Sequence, residues 1–425
     1  MRLPPDQKPE LVTPLPGPRS RALGRRLAAV ECRNVTCLAP VPPIFWERAL
    51  GSNVWDVDGN RFVDLSGAFG VANVGHAHPR VVDAVRRQAE HCLHGMGDVQ
   101  PPAVKVELLE ALCARFPGSV ACRATLGSSG ADAVETALKT AALATGKVGV
   151  VACEGAYHGL SLGALDATWR RDFRLPFAAR LPHATAFARY GDCDDVLRAA
   201  CESIVPVGAV LVEPIQGRGG ERVPPPGFLS ELRALCDRQG WLLIVDEIYT
   251  GMGRTGRWFA CEHEGVVPDL LCIGKGLASG MPISACLGRR EVMDVWPLST
   301  GEALHTQTFL GHPPSCAAAL ASIAVLAEEK LPERAAEIGG TALRQLTAAL
   351  SGVTRAREVR GRGLMLGIEC AQPATATAAC QAALERGVIL LPSGSRGEVL
   401  SVTPPLNIDR EIFTWALDIL VRSLP

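Results

Sequence analysis

Short apolar runs alternate with helix-like stretches from Val81 to about Leu287, and few folds accept that rhythm. Parallel neighbours need a crossover of a dozen or more residues, usually a helix. Strands covered on both faces read as unbroken apolar runs rather than as alternation. Strand candidates are Val148–Ala152, Ala209–Val212, Leu242–Val245 and Leu270–Ile273. Helix candidates with apolar residues at 3–4 spacing are Ala131–Ala144, Leu229–Gln239 and Ser315–Glu329. The pattern predicts an α/β fold whose large domain, residues 71–312, holds a mostly parallel central sheet.

The two ends read differently. Val54–Val63 alternates as two short strands around a Gly59 turn. The last hundred residues carry a helix, strands near Val359 and at Leu364–Ile368, another helix and a strand at Val399–Val402. Residues 1–70, arm included, and residues 313–425 are therefore expected to build a smaller α+β domain together. The Pro- and Arg-rich stretch from Met1 to about Pro43 reads as a wrapping or partly disordered arm.

Charge narrows the partners. Lys and Arg number 43 against 44 Asp and Glu, without the one-sided basic field that nucleic acid requires, so a small-molecule partner is expected. Fifteen scattered cysteines with no CxxC pair, no secretory apolar region and no run near the ~20 residues of a membrane span point to a cytoplasmic protein that meets no membrane.

The chain has six lysines, and one stands apart. Lys275 follows the Leu270–Ile273 run between Gly274 and Gly276, where desolvation favours the neutral amine that condenses with an aldehyde. The Leu242–Val245 run ends in Asp246-Glu247. In an open α/β sheet the carboxyl ends of strands face the ligand, so Asp246 points at a site. Ser128-Ser129-Gly130-Ala131 opens a predicted helix, whose first N–H groups suit a phosphate.

Two motifs are set aside. Gly251-Met252-Gly253-Arg254-Thr255-Gly256 matches GxGxxG, but Arg257-Trp258-Phe259 follows in place of a small-residue helix and no acid stands ~20 residues on. His76, His78, His91 and His94 lack companions at ligand spacing, so no metal is expected.

Taken together, these stretches resemble the class III aminotransferases of pyridoxal-phosphate (PLP) fold type I, from about Val54 to Leu406 and in the family's order. The resemblance implies PLP carried on Lys275 as a Schiff base, with Asp246 at the ring nitrogen. It places the phosphate on Ser129, Gly130 and Ala131, and the ring against Tyr157 in Gly155-Ala156-Tyr157-His158-Gly159. His158 and Glu213 of Glu213-Pro214-Ile215-Gln216-Gly217 join the cofactor site. Thr308 matches a threonine that reaches the phosphate from the neighbouring subunit, which implies a homodimer with shared sites. The implied reaction is ping-pong transfer of an amino group from an amino acid or ω-amino donor to an oxo acid.

The chain departs from the family at three positions. Tyr249 stands where many members have a glutamine that bonds the cofactor's 3′ oxygen. Ser401 stands where many have the arginine for the substrate α-carboxylate, and Arg218 where many have that arginine's glutamate partner. Arg218 is expected to take over the carboxylate contact, which guanidinium geometry suits. The rival reading is a PLP-dependent racemase or epimerase, which uses the same lysine and aspartate but returns the proton to the other face of Cα. A non-enzymatic binding module would not need Lys275, Asp246 and Thr308 at once.

Overall fold

The computed structural model describes residues 3–37 and 43–425. Its centre is a seven-stranded sheet in the spatial order Cys122–Gly127, Ser284–Arg289, Leu270–Ile273, Leu242–Asp246, Val207–Val212, Gly149–Cys153, Thr185–Ala188. Ser284–Arg289 runs antiparallel to both of its neighbours, and the other pairings between adjacent strands are parallel. Every residue of Val207–Val212 and Leu270–Ile273 is buried, which is why these strands read as continuous apolar runs. Each such Val, Leu or Ile side chain contributes roughly 1.5–3 kcal/mol by leaving water.

Helix Gly130–Thr145 lays Ala133, Val134, Ala137 and Ala141 on the sheet against Ala152, Leu211, Ile244 and Cys272. The small residues let the helix axis approach closely, which brings its N-terminus over the strand ends.

Both chain ends meet in one four-stranded sheet. Trp46–Leu50, Asn53–Asp56 and Arg61–Asp64 pair in sequence, and Val388–Ile389 adds in parallel to Arg61–Asp64. A second four-stranded sheet joins Ala356–Arg362, Met365–Cys370, Val399–Val402 and Leu391–Ser393. Of the arm, Met1, Arg2 and residues 38–42 lie outside the described residues. Its earlier part lies along the hairpin: Glu10 bridges Arg61, and Asn60 Oδ1 accepts from the Val12 and Thr13 amides at 2.8 and 2.9 Å. The arm also contains a helix, Pro18–Val30, that the sequence did not announce. Its cap comes from the hairpin, because the Asp58 carboxylate accepts from the Arg19 and Ser20 amides.

The GxGxxG segment forms a turn that straps the two ends to the central sheet. The Arg254 side chain is fully buried. It donates to Leu364 O at 2.9 Å, Pro404 O at 2.5 Å and Asn73 Oδ1 at 2.7 Å. Gly253 and Gly256 supply the left-handed backbone, at φ +89 and +97, that lets the chain double back around it. Among the described residues no helix is long and apolar enough to cross a membrane.

Candidate active site

Three strand ends and a helix N-terminus converge. Glu213 follows Val207–Val212, Asp246 closes Leu242–Asp246, and Lys275 lies two residues past Leu270–Ile273. A Cβ on Gly130 would overlap Ile248, and one on Gly274 would touch both Ile248 and the Gly130 backbone. The lysine loop, the aspartate loop and the first turn of Gly130–Thr145 are thus in mutual contact. Beside them lies a cavity of about 290 Å³ bounded by Tyr157, Glu213, Arg218, Tyr249, Lys275 and Ser401. A wider cleft of about 860 Å³ beside Trp258 includes Val266 and Val267. It therefore opens at the start of the Leu270–Ile273 strand, away from these groups.

Lys275 adopts φ +40, and among the described residues no hydrogen bond or ion pair holds its Nζ, which lies 4.2 Å from the centre of the Tyr249 ring. Burial lowers its pKa, with Arg218 acting in the same direction and Asp246 and Glu213 opposing. The Asp246 carboxylate is buried. Its Oδ2 lies 2.7 Å from His158 Nδ1, and its Oδ1 accepts from the Ile248 amide at 3.0 Å. His158 Nε2 is buried without a partner among the described residues.

At the helix start Asp132 claims more than the sequence suggested. Its Oδ2 accepts from the Ser128 and Ser129 amides at 2.9 and 3.0 Å, while its own amide donates to Ser129 Oγ. Among the described residues the amides left free are therefore those of Gly130 and Ala131, which have no intrahelical acceptor, while the Ser129 hydroxyl accepts from Asp132 and keeps its own proton to donate.

Glu213 accepts from the Tyr157 amide at 2.9 Å and the Gly217 amide at 3.1 Å, and burial pushes its carboxyl up to about 7. Tyr157 is half-buried with the Arg218 guanidinium 5.4 Å from its ring centre. Arg218 itself is exposed, and no carboxylate lies within ion-pair distance among the described residues. Tyr249 is wedged between Gly70 and Gly217, where a Cβ on either side would overlap its ring. Its hydroxyl lies 3.1 Å from Thr403 Oγ1, so its ring face rather than its oxygen meets Lys275.

Ser401 is buried and donates to Glu221 Oε1 at 2.6 Å. Glu221 is a residue that sequence reasoning missed. The one trace of it is an acid directly after Gly219-Gly220. Thr308 is exposed and off its own chain's cavity, although the adjacent Gln307 accepts from Ser128 Oγ at 2.8 Å.

The residues fit PLP. An unpartnered amine can meet its aldehyde, a carboxylate backed by a histidine can meet its ring nitrogen, and two unpartnered amides at a helix N-terminus can meet its phosphate.

Comparison with known proteins points to the same cofactor. The family model for class III aminotransferases matches residues 38–424. The acetylornithine aminotransferase of Methanopyrus kandleri is 40% identical over 88% of this chain and 92% of its own. The 4-aminobutyrate aminotransferase of Mycobacterium leprae is 38% identical over 99% of this chain and 98% of its own. Among solved structures, the ornithine aminotransferase of Toxoplasma gondii superposes with a TM-score of 0.87 at 33% identity, covering 95% and 94% of the two chains. Each of these relatives bears an aminotransferase's name, which favours transfer over isomerisation. The chain therefore belongs to the class III aminotransferases, PLP-dependent enzymes of fold type I that move an amino group from a donor to an oxo acid.

Proposed function

We propose that this enzyme works through Lys275 as the residue that carries the cofactor and moves the proton, and that Arg218 binds a carboxylate of its substrate. The observation that carries the reading is the free Lys275 amine at a strand end, packed beside Asp246 and the open amides of Gly130 and Ala131. When bound, PLP supplies an aldehyde carbon for the amine and a ring that withdraws electrons from the substrate's Cα–H bond. Lys275 Nζ, held closer to neutrality by burial, would be the base that accepts and gives back that proton. Asp246 would hold the ring nitrogen, with His158 fixing the carboxylate through the 2.7 Å contact. Glu213 locks the Tyr157 and Gly217 backbone so that the tyrosine can cover the ring. Arg218, exposed at the cavity and with no carboxylate within ion-pair distance among the described residues, is available for a bidentate carboxylate contact.

The enzyme is further proposed to be a cytoplasmic homodimer in which Thr308 serves the neighbouring subunit's phosphate site. Exposed Leu298, Leu304 and Phe309 around Thr308 support a covered face there.

The test is a half-reaction of the cofactor-loaded protein in deuterated water with a panel of amino acids and amines. Loss of the cofactor's absorbance with release of an oxo acid or aldehyde is expected. A persistent band with deuterium entering both enantiomers would refute transfer. Unchanged affinity of Arg218→Ala for every carboxylate-bearing substrate would refute its role.

A further inference from the structure

Two serines on the C-terminal strands, Ser393 and Ser401, line the same cavity as Lys275. Both give their hydroxyl protons to one carboxylate: Ser393 Oγ lies 2.6 Å from Glu221 Oε2, and Ser401 Oγ lies 2.6 Å from Oε1. Glu221 is fully buried and held at φ +48 directly after Gly219-Gly220. No cation lies within ion-pair distance of it among the described residues. Arg360, whose charge reaches it, is committed to Gly220 O, Glu358 and Glu369.

A serine hydroxyl carries one proton and two lone pairs. With both protons directed at Glu221, the two hydroxyls can offer the cavity lone pairs alone, and a carboxylate stands behind them. A substrate carboxylate arriving there would meet acceptors and like charge. An ammonium or guanidinium would meet acceptors and opposite charge, and would recover part of the cost of burying Glu221 without a counter-ion.

We infer that Ser393, Glu221 and Ser401 form a subsite for a cationic, N–H-donating end of the substrate, with Glu221 as the positioning residue that sets its polarity. The inference rests on the Lys275 cavity being the substrate pocket. It reverses the polarity that the family resemblance leads one to expect at position 401. The substrate class it names is an amino donor with a second, cationic nitrogen, any carboxylate of which lies at Arg218.

Two measurements on the cofactor-loaded enzyme test it. Burial pushes the Glu221 carboxyl up to about 7, so both are made at ~pH 8.5, where the carboxylate is ionised. Calorimetry with butylguanidinium, which has no primary amine to react, is expected to show binding that weakens on the order of tenfold or more in Glu221→Gln and recovers in part in Glu221→Asp. In the half-reaction, the rate ratio of 1,4-diaminobutane to butylamine is expected to fall by a similar factor in Glu221→Gln, with butylamine itself little changed. A merely structural Glu221 would slow both amines alike. Equal guanidinium binding by wild type and Glu221→Gln would overturn the subsite. If Glu221→Gln does not fold, the Ser393→Ala/Ser401→Ala variant reads the same ratio. Failure of the Lys275 reading would show separately, as no cofactor response to either amine in the wild type, while guanidinium binding would still report on the subsite.

Discussion

Arg254→Met removes a strap between distant parts of the chain while keeping much of the side-chain volume. Three acceptors lose their donor: Leu364 O, Pro404 O and Asn73 Oδ1, all reached by a guanidinium that is buried throughout. Each stranded buried acceptor costs about 1–3 kcal/mol. Against that, burial has already pushed the Arg254 pKa down to about 10, so removing the charge returns about 3 kcal/mol. The net loss expected is on the order of 3 kcal/mol, a large share of a typical folding free energy. Urea unfolding of Arg254→Met and Arg254→Lys beside the wild type measures it. The lysine variant should recover little, since one ammonium on a flexible stem does not span three acceptors in a fixed fork. Faster amide hydrogen exchange at Leu364–Leu366 and Leu406 should accompany the loss. A change below about 1 kcal/mol would refute the strap.

Asp246→Asn should keep the cofactor bound, as read by its absorbance, yet slow the half-reaction on the order of 10²-fold or more, because the charge facing the ring nitrogen is gone. Mixing Lys275→Ala with Thr308→Ala protein should restore activity, since a hybrid dimer with shared sites contains one site with both residues intact. No restoration would place Thr308 in its own chain's site. Burial pushes the Glu247 carboxyl from its ordinary 4.5 up to about 7. The folded state then binds the extra proton, so this group's contribution is fully present below pH ~4.5 and is lost as pH rises through about 7. Glu247→Gln should therefore gain on the wild type by about 3 kcal/mol between pH ~4.5 and ~8, read as diverging unfolding midpoints.

What could be read from the sequence follows from how local each cause is. Leu242–Asp246 and Leu270–Ile273 were legible because burial on both faces writes itself as an unbroken apolar run. The place of Lys275, just past a strand and on the cavity, was legible through scarcity and its two glycines. The reversed strand Ser284–Arg289 was not, because its direction depends on the return path of the chain. Helix Pro18–Val30 escaped notice because its capping carboxylate, Asp58, lies in the hairpin rather than before the helix. His158 was expected near the cofactor, but its bond to Asp246 joins segments far apart in the chain. Glu221 was invisible for a similar reason: its partners Ser393 and Ser401 come from the opposite end of the molecule.

The reversed strand also sets an order of events during synthesis. Cys122–Gly127, which leads into the Gly130–Ala131 amides, hydrogen-bonds within the sheet to Ser284–Arg289 and, among the described residues, to no other strand. On the ribosome that segment waits, its edge unsatisfied, until the chain past residue 289 has emerged. On the proposed role of Lys275, cofactor capture belongs late in biogenesis, after the lysine loop and its bracing strand are both out. While it waits, the strand is exposed to mispairing.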